Sequence, residues 1–532
     1  LSNLPAKTEW CWYDALRVYD NNYFKRGISY DITYSWYDGD GWGLNIANGT
    51  LSQSLPDMQM SGPPATLTFR NAYNLEQHEV SIKANDSLIV SESHNGFSIR
   101  TYTATLPNSL LNGNLNLKIE VPGAACLAST SVRYARKTSF GNATTALFEL
   151  DPSPTGHYLE ISAFNSGSAL PVLYDLNAGQ RWETVVESGL VKVFLPASDQ
   201  PRKLVLFHPT AGVLSAPTPS VKNFRDFSEE NAGFIIISTP ALYNDPAAGG
   251  ANHVQAYSDY RASMAGGNYA TAIVDVEELY EQFGYGIRFH PIAIRNFCHY
   301  ADKNWSNARH VLLVGKGLNS DVFRKPVEQQ SKFQQLYFLP NFGLIGSDLL
   351  YVMKGAHLER PVLTIGRLAV TKPFEIKNYL DKVIEHEQLL NSDQTIANKS
   401  GLKRFLHISG GLPGEQSLIA GYTKQLEIEL NAGQIGASVQ TLYKTSNDPV
   451  QQPAFDRIIN ATRDGVSTWI IFGHSSPFLV DYDIGSVENY RNKGKYPFFL
   501  ILGCFSGQCS NNDKCLGENF VLCRDKGALA YL

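Results

Sequence analysis

The sequence predicts a multidomain protein whose β-sandwich-rich amino-terminal half is followed by an α/β domain with a mostly parallel sheet. The chain has 532 residues, too many for one hydrophobic core, since domains typically hold roughly 100–200 residues. Short strands of alternating polarity fill the first part, and apolar strands alternate with amphipathic helices in the rest. We place the domains at 1–140, 141–220 and 225–532.

The first half has the period-two pattern of half-buried strands. Apolar and polar side chains alternate over 115–121, and turn residues such as Pro107-Asn108 separate such runs. Similar strands are predicted at 157–164, 190–195 and 203–207. One or two β-sandwiches account for this region, with a soft boundary near 130–150 and a linker at 211–220.

The second half has the alternation of a parallel α/β sheet. Phe234–Ile237 and Ala272–Asp275 are apolar strands, and a helix follows at Val276, with Asp275 as its cap and Gly284 as its end. Another helix is predicted after Pro291. Later strands are predicted at 311–314, 362–365, 405–408, 439–443, 469–472 and 498–502, and helices near 374–390 and 416–432. Residues 527–532 resemble the start of a buried strand, so we expect native sequence to continue beyond them.

The charge balance and hydropathy exclude some classes of protein. Forty-five basic residues face 50 acidic ones, giving a net charge of −5, which argues against a nucleic-acid partner because such proteins need a basic surface. No run of about 18 apolar residues predicts a membrane-spanning helix.

Two strand ends carry reactive side chains in matching positions. The apolar run Thr468–Phe472 leads through a glycine to His474, and Phe498–Leu502 leads through a glycine to Cys504, 30 residues further on. Ligands of open α/β sheets bind at the carboxyl ends of the strands. A histidine near a cysteine can take the proton of the thiol, which has an ordinary pKa of about 8.5. We therefore predict a catalytic dyad of His474 and Cys504.

The backbone beside this dyad is suited to binding an oxyanion. The flanking glycines allow close approach to a substrate carbonyl, and the N–H groups of Ser475 and Cys504 can face the developing charge. This chemistry requires neither a cofactor nor a metal ion.

A strand that ends in His followed by one that ends in Cys resembles the caspase-like cysteine peptidases, and the chain is most similar to their gingipain family. The segments that carry the resemblance are 273–280, 283–286, 310–315, 363–368, 517–520 and 527–530. The β-rich first part is similar to that of PorU-type sortases, which belong to the type IX secretion system of Bacteroidetes.

This resemblance implies a peptidase that removes C-terminal signal domains from secreted cargo through a thioester and can transfer the cargo to anionic lipopolysaccharide. It implies an outer-membrane barrel partner of the PorV type and an extracytoplasmic position at the cell surface, peripheral to the outer membrane. Neither a cofactor nor a nucleic acid is implied.

Three positions depart from the family pattern. Ser475 stands where glycine usually follows the histidine, Val362 where an acid is common, and Lys316 where aspartate is usual. Either Asp348 or Glu415 could supply the missing carboxylate that orients His474.

The other cysteines have simpler interpretations. The spacing of cysteines over 504–523 matches no common zinc site. In an extracytoplasmic chain, a disulfide between Cys509 and Cys515 is favoured.

Three functions remain open at this point. One is the sortase, and a second is a secreted endopeptidase of the gingipain type that cuts after a defined side chain. The third is a catalytically inactive scaffold of the secretion complex. The departures at Ser475, Val362 and Lys316 motivate this alternative.

Overall fold

The structure is a computed structural model, in which the chain forms two compact units. It describes residues 4–24, 41–73, 78–95, 98–121, 125–211, 213, 215–219, 221–318, 336–342, 346–354, 360–434, 436–451 and 455–532. Within these residues, the first unit extends to Val221 and the second begins at Lys222. None of the described helices is long and apolar enough to cross a membrane.

The first unit consists of antiparallel sheets with one short helix, α1 (Asn108–Leu111). Its strands are Trp10–Val18 (β1), Asn22–Phe24 (β2), Gly41–Asn45 (β3), Gly49–Ser54 (β4), Ala65–Tyr73 (β5), His78–Ala84 (β6), Ser87–His94 (β7), Ser98–Leu106 (β8), Asn114–Glu120 (β9), Ala125–Lys137 (β10), Ser139–Ala143 (β11), Thr145–Leu150 (β12), His157–Phe164 (β13), Val172–Asp175 (β14), Gln180–Glu183 (β15), Val185–Glu187 (β16), Leu190–Leu195 (β17) and Arg202–Phe207 (β18). The described strands form a ten-stranded sheet and two four-stranded sheets. Only β11 and β13 pair in parallel among them.

The predicted strands of this unit are confirmed. In β9 the side chains of Leu115, Leu117 and Ile119 are fully buried, while the residues between them are not. This alternation is what a strand with one solvated face requires. The turn predicted at Pro107-Asn108 instead begins α1, which ends at Asn112 in the left-handed conformation that asparagine tolerates.

The first unit contains two hydrophobic cores. One packs strands such as β5, β6, β9 and β10, and the other packs β12, β13, β17 and β18. The ten-stranded sheet joins them, because β1 pairs with both β10 and β12. The boundary between 140 and 141 therefore stays a prediction. The described residues of the predicted linker, 211, 213 and 215–219, form neither helix nor strand.

The second unit is the predicted α/β domain with parallel strands, and its described strands form two sheets where the sequence predicted one. Its strands are Phe234–Ser238 (β19), Thr271–Asp275 (β20), His310–Val314 (β21), Thr364–Leu368 (β22), Arg404–Ser409 (β23), Ser438–Tyr443 (β24), Thr468–Phe472 (β25), Phe498–Leu502 (β26) and Ala530–Tyr531 (β27). Its described helices are His253–Ala262 (α2), Val276–Phe283 (α3), Ile292–Asn304 (α4), Pro373–Asn391 (α5), Ile396–Lys399 (α6), Gln416–Ala432 (α7), Phe455–Asp464 (α8) and Leu516–Leu522 (α9). The sheet orders are β20-β19-β21-β22 and β24-β23-β25-β26-β27.

The helix signals read from the sequence work as expected. The Asp275 carboxylate accepts the N–H of Glu277 at 3.0 Å, which caps α3, and Gly284 ends that helix. The strand predicted at 362–365 instead begins at Thr364, since the Val362 N–H is bound to the Val352 carbonyl before the strand starts.

The central strands of the five-stranded sheet are apolar and largely buried, as is usual for parallel sheets. Trp469 of β25 stacks on Phe499 of β26 with 4.5 Å between ring centroids. Both belong to a core that also contains Leu406 and Ile408 of β23. Three neighbouring strands are thereby fixed at the edge where the predicted site lies.

Candidate active site

The predicted dyad residues leave the same edge of the sheet from neighbouring strands. Strands β25 and β26 are parallel, and Phe472 pairs with Leu502. The N–H of Gly473 donates to the Leu502 carbonyl at 3.2 Å, so the two chains stay paired just beyond the strands. His474 and Cys504 follow directly, which sets the imidazole and the thiol at equivalent positions of adjacent strands.

His474 is bound by a carboxylate, and that carboxylate is Glu415. The imidazole Nε2 lies 2.7 Å from Oε2 of Glu415, and both side chains are about half exposed, at 50% and 46%. The hydrogen bond from His474 is the largest cause that lowers the pKa of Glu415, and the N–H of Leu412 lowers it further. A charged carboxylate makes Nε2 the donor, which leaves Nδ1 as the nitrogen able to accept a proton.

Glu415 reaches the site through a loop at the end of a third strand. Strand β23 lies beside β25 in the sheet, and the loop from Gly410 to Glu415 joins it to helix α7. The Glu415 carboxylate also accepts the Leu412 N–H of its own loop at 3.2 Å. The carboxyl ends of three consecutive strands in the sheet thus supply an acid, an imidazole and a thiol.

Asp348, the other candidate for the orienting acid, is engaged elsewhere. Arg367 of β22 binds it in a two-pronged ion pair, with Nε 2.7 Å from Oδ2 and Nη2 2.8 Å from Oδ1. The Arg367 side chain is almost fully buried and also donates to the Gly315 carbonyl. This geometry is that of a structural pair at the other sheet.

Cys504 is exposed, and Ser475 ties its backbone to the histidine loop. The Ser475 hydroxyl donates to the Cys504 carbonyl at 2.7 Å and lies 3.4 Å from the hydroxyl of Ser506. A Cβ at Gly503 would come within 2.4 Å of that hydroxyl, so this glycine is required for the close approach of the two loops. The hydroxyl that this chain has in place of the usual glycine therefore links the two strand ends.

The loop after His474 is a tight turn, and the Ser475 N–H does not take part in the hydrogen bonds that close it. Ser475 pairs with Val480, but the hydrogen bonds of this pair come from the neighbours. Ser476 N–H donates to Leu479 O, and Asp481 N–H donates to His474 O, both at 2.8 Å. The oxyanion role of the Ser475 and Cys504 amides stays a prediction.

The other two departures have partners in the fold. Lys316 pairs with Glu518 at 2.6 Å, and both side chains are buried. Glu518 also caps α9 by accepting the Cys515 N–H at 2.8 Å. Burial raises the pKa of Glu518, and the Lys316 ammonium opposes that rise. Val362 carries no carboxylate, and the carboxylate that contacts His474 is that of Glu415.

The cysteine prediction is corrected by the structure. All seven cysteines are free thiols, so the Cys509–Cys515 disulfide is not formed. Cys515 begins helix α9, with its amide held by Glu518. Burial raises the pKa of the Cys509 thiol to about 11 and that of Cys515 to about 12, which keeps both protonated. Cys298 is fully buried on α4.

The loops of the site expose apolar side chains, which the sequence did not indicate. Leu412 lies on the Glu415 loop, Phe478 and Leu479 on the histidine loop, and Leu502 and Phe505 on either side of Cys504. Each is between 45% and 54% exposed. A peptide bound at the thiol would meet apolar surface on several sides. Within the described ranges, no group of three or more His, Cys, Asp or Glu side chains could hold a metal ion.

An exposed thiol and a carboxylate-bound imidazole at neighbouring strand ends of a parallel sheet define a site of the cysteine-peptidase type. The sequence model described as peptidase family C25 matches residues 227–532. The chain therefore belongs to peptidase family C25, the gingipain family. The sequence matches no curated protein.

Several solved structures are similar to the chain. Dimeric latent PorU from Porphyromonas gingivalis has a TM-score of 0.45 and 17% identity over 74% of this chain and 39% of its own. The complex of pro- and mature domains of RgpB, from the same organism, has a TM-score of 0.41 and 17% identity, covering 56% of this chain and 63% of its own. The Arg-specific gingipain R structure has a TM-score of 0.41 and 16% identity, covering 58% and 64%. The chain thus spans less than two thirds of each.

Proposed function

We propose that the chain is a cysteine peptidase that acts as a sortase on secreted proteins of the type IX system. Cys504 is the nucleophile, His474 the general base and Glu415 the residue that orients the imidazole. The observation that carries the peptidase part is the 2.7 Å hydrogen bond between Glu415 and His474 on the strand next to Cys504. The sortase part is supported by the resemblance to PorU-type proteins.

The reaction begins with proton transfer from the thiol. Glu415 holds Nε2–H of His474, so that Nδ1 takes the Cys504 proton. The thiolate attacks the carbonyl at the border between cargo and signal domain, and the Ser475 and Cys504 amides face the oxyanion. The imidazolium then donates its proton to the leaving amine, which releases the signal domain and leaves the cargo as a thioester on Cys504.

The thioester can be resolved in two ways. An amine on anionic lipopolysaccharide displaces Cys504 and forms an amide with the cargo, or water displaces it and the cargo is released as an acid. In both cases His474 takes a proton from the incoming nucleophile and returns it to the thiolate. The partners of this proposal are signal-bearing cargo, an outer-membrane barrel of the PorV type and lipopolysaccharide, at the cell surface.

The first experiment is the rate of Cys504 alkylation against pH, in the wild type and in His474→Ala. Fast labelling below about pH 7 that disappears in the variant indicates an activated thiolate. Slow labelling that is the same in both proteins contradicts the enzyme. Trimming of signal-bearing cargo by purified protein then tests the sortase, and trimming that persists in Cys504→Ala contradicts the role of this thiol.

A secreted endopeptidase is the second candidate, and the apolar side chains around the site favour it for one class of substrate. The exposed side chains of Leu502 and Phe505 lie within two residues of Cys504 in the chain, and those of Phe478 and Leu479 lie on the turn that follows His474. Such a peptidase would cut short peptides that carry apolar residues beside the scissile bond. A peptide-library digest distinguishes it from the sortase, which should cut signal-bearing cargo and leave the library intact.

The inactive scaffold is the third candidate, and the structure supports it less than the departures in sequence do. Lys316 has its own buried partner, and Glu415 supplies the carboxylate that Val362 does not. The scaffold predicts that a double variant, His474→Ala with Cys504→Ala, still captures a PorV-type barrel and that the wild type trims no cargo. Trimming by the wild type would reject it.

A further inference from the structure

Asp481 is a buried carboxylate that contacts the candidate site, and no sequence pattern indicated it. It follows the histidine turn, and 5% of its surface is exposed. Its N–H donates to the His474 carbonyl at 2.8 Å. Its own carbonyl accepts the N–H of Gln451 at 3.0 Å, which anchors this point of the backbone to another segment of the unit. Asp481 therefore fixes the backbone of the proposed general base.

The side chain of the same residue holds the loop that carries Glu415. Asp481 Oδ2 accepts the N–H of Gly411 at 2.6 Å. Gly411 has a φ of +110°, a conformation that side-chain-bearing residues rarely adopt, so this amide is turned toward the carboxylate by a glycine-specific backbone. Glu415 lies four residues further along that loop. One residue thus contacts both His474 and the loop that carries Glu415.

The space for this carboxylate is made by two glycines. A Cβ at Gly410 would lie 2.2 Å from Asp481 Oδ1, and one at Gly473 would lie 2.4 Å from it. These glycines directly follow strands β23 and β25, which lead to Glu415 and His474 respectively. The buried Lys444 ammonium lies 3.9 Å from Oδ2 and also donates to the Pro449 carbonyl. A buried carboxylate is costly unless charges and donors compensate it. The Gly411 N–H and the Lys444 ammonium do so at Oδ2, whereas Oδ1, which faces the two glycines, has no hydrogen-bond partner among the described residues.

We infer that Asp481 is a positioning residue that sets the distance between Glu415 and His474 by binding the backbone of both loops. It touches neither substrate nor thiol, so it acts through the histidine. The inference deepens the proposed peptidase function and rests on it for its effect on Cys504. Its effect on the Glu415–His474 pair stands independently of catalysis.

The test compares Asp481→Ala, Asp481→Asn and the matched control Asp483→Asn, whose carboxylate accepts only the nearby Gly485 N–H among the described contacts. Two quantities are measured: the pKa of Glu415 by NMR of labelled glutamate, with His474→Ala as reference, and the alkylation rate of Cys504 against pH. We expect Asp481→Ala to raise the pKa of Glu415 toward its value in His474→Ala and to slow alkylation about ten-fold or more, since small misplacements of catalytic groups are costly.

The conservative variant should rescue both measurements. The amide oxygen of Asp481→Asn can still accept the Gly411 N–H, so we expect values near those of the wild type, as in Asp483→Asn. If Asp481→Ala does not fold, Gly410→Ala replaces it, because the added methyl displaces the carboxylate from its place. A folded Asp481→Ala or Gly410→Ala with wild-type Glu415 titration overturns the inference. Cys504 alkylation that is slow in every protein, with a shifted Glu415 titration, rejects the peptidase and keeps the positioning role.

Discussion

The two parallel sheets of the second unit differ in one respect: the five-stranded sheet carries an exposed ion pair at its strand ends in addition to the buried pair of Asp481 and Lys444. At the four-stranded sheet, Lys316 follows β21 and Arg367 lies in β22, and each is buried against a carboxylate at hydrogen-bond distance. At the five-stranded sheet, His474 and Glu415 form a pair that is about half exposed. The same architecture therefore carries charges that stabilise the fold in one sheet and charges that are open to a substrate in the other.

The comparison shows how burial separates structural from chemical ion pairs. A buried pair stabilises only if both partners are present, because removing one leaves an uncompensated charge. An exposed pair contributes little to stability, but its groups stay accessible to a reacting molecule. Substitutions at the first sheet should therefore change stability, and substitutions at the second should change reactivity.

The largest effect is expected for Cys504→Ala. Removal of the nucleophile should lower cargo trimming by about 10³-fold or more, since no other group can form the thioester. The measurement is the rate of signal-domain release by purified protein. The matched control is Cys509→Ala, five residues along the chain, whose thiol has a pKa raised by burial to about 11. Equal loss in both variants would show that the loop, and not the thiol, is what matters.

The next largest effect is expected at the other sheet, in Lys316→Met. The variant leaves the Glu518 carboxylate buried without its ammonium partner, so the free energy of unfolding at pH 7 should fall by about 3–5 kcal/mol. Urea unfolding measures this change. Lys424→Met is the control, because its pair with Glu427 is on the surface and its loss should not be measurable.

The pH dependence of Lys316→Met gives the sign of the effect. Burial raises the pKa of Glu518 in the folded protein, and loss of the lysine should raise it further. A carboxyl with a raised folded pKa favours the folded state when it is protonated, and this contribution is lost as pH rises through that pKa. The deficit of Lys316→Met should therefore shrink between pH 7 and pH 5. A deficit that grows toward acid would show that the carboxylate is not the cause.

The positions of the dyad could be predicted from the sequence because their signals are local. Each reactive residue follows an apolar strand and a glycine, and the two strands are neighbours in the sheet. The orienting acid could not be chosen, since Glu415 lies 59 residues before His474 and Asp348 was equally free in the sequence. Only the fold shows that Arg367 binds Asp348 and that Glu415 reaches the histidine.

Other features escaped because they depend on tertiary contacts. Asp481 has no pattern of its own, and its one trace is a pair of glycines at the ends of β23 and β25, where a Cβ would meet its carboxylate. The disulfide was predicted from an assumed compartment and not from geometry. The strand predicted at 362–365 begins two residues later in the structure, at Thr364, because the Val362 N–H is bound to the Val352 carbonyl.

A smaller effect on reactivity is expected for Glu415→Gln. Loss of the charge that orients His474 should slow Cys504 alkylation at pH 7 by about ten- to a hundred-fold, which is less than the full contribution of a general base because His474 itself remains. The hydrogen bond from His474 lowers the pKa of Glu415, so the wild-type carboxylate stays charged until the pH falls below its ordinary range. The difference between the two proteins should therefore persist in mild acid and vanish only as pH falls through the lowered pKa.

The control for this variant is Glu427→Gln, on helix α7, which begins directly after Glu415. Its carboxylate accepts from Lys424 and Thr441 and also has a lowered pKa, but none of its described hydrogen bonds reaches the dyad. Its alkylation profile should match the wild type. A similar loss in both variants would indicate a general change in surface charge, and it would remove Glu415 from the proposed mechanism.

The smallest effect is expected for Ser475→Gly, which restores the residue usual in the family. The variant loses the hydrogen bond from the Ser475 hydroxyl to the Cys504 carbonyl, a contact of 2.7 Å. One such bond contributes about 1 kcal/mol, which is about five-fold in a rate if it acts only in the transition state. Ser476→Gly is the control, because among the described residues its hydroxyl forms hydrogen bonds only with Phe478 and Leu479 of its own turn.

The outcome of Ser475→Gly decides which loop the hydroxyl serves. A small loss of alkylation rate without a change in unfolding free energy would place its contribution in the geometry of the thiol. The reverse result, lower stability with wild-type alkylation, would make the hydroxyl a structural link between the two strand ends. A gain of activity would mean that the serine restrains Cys504, so that the departure from glycine slows a site whose acid, base and nucleophile are otherwise in place.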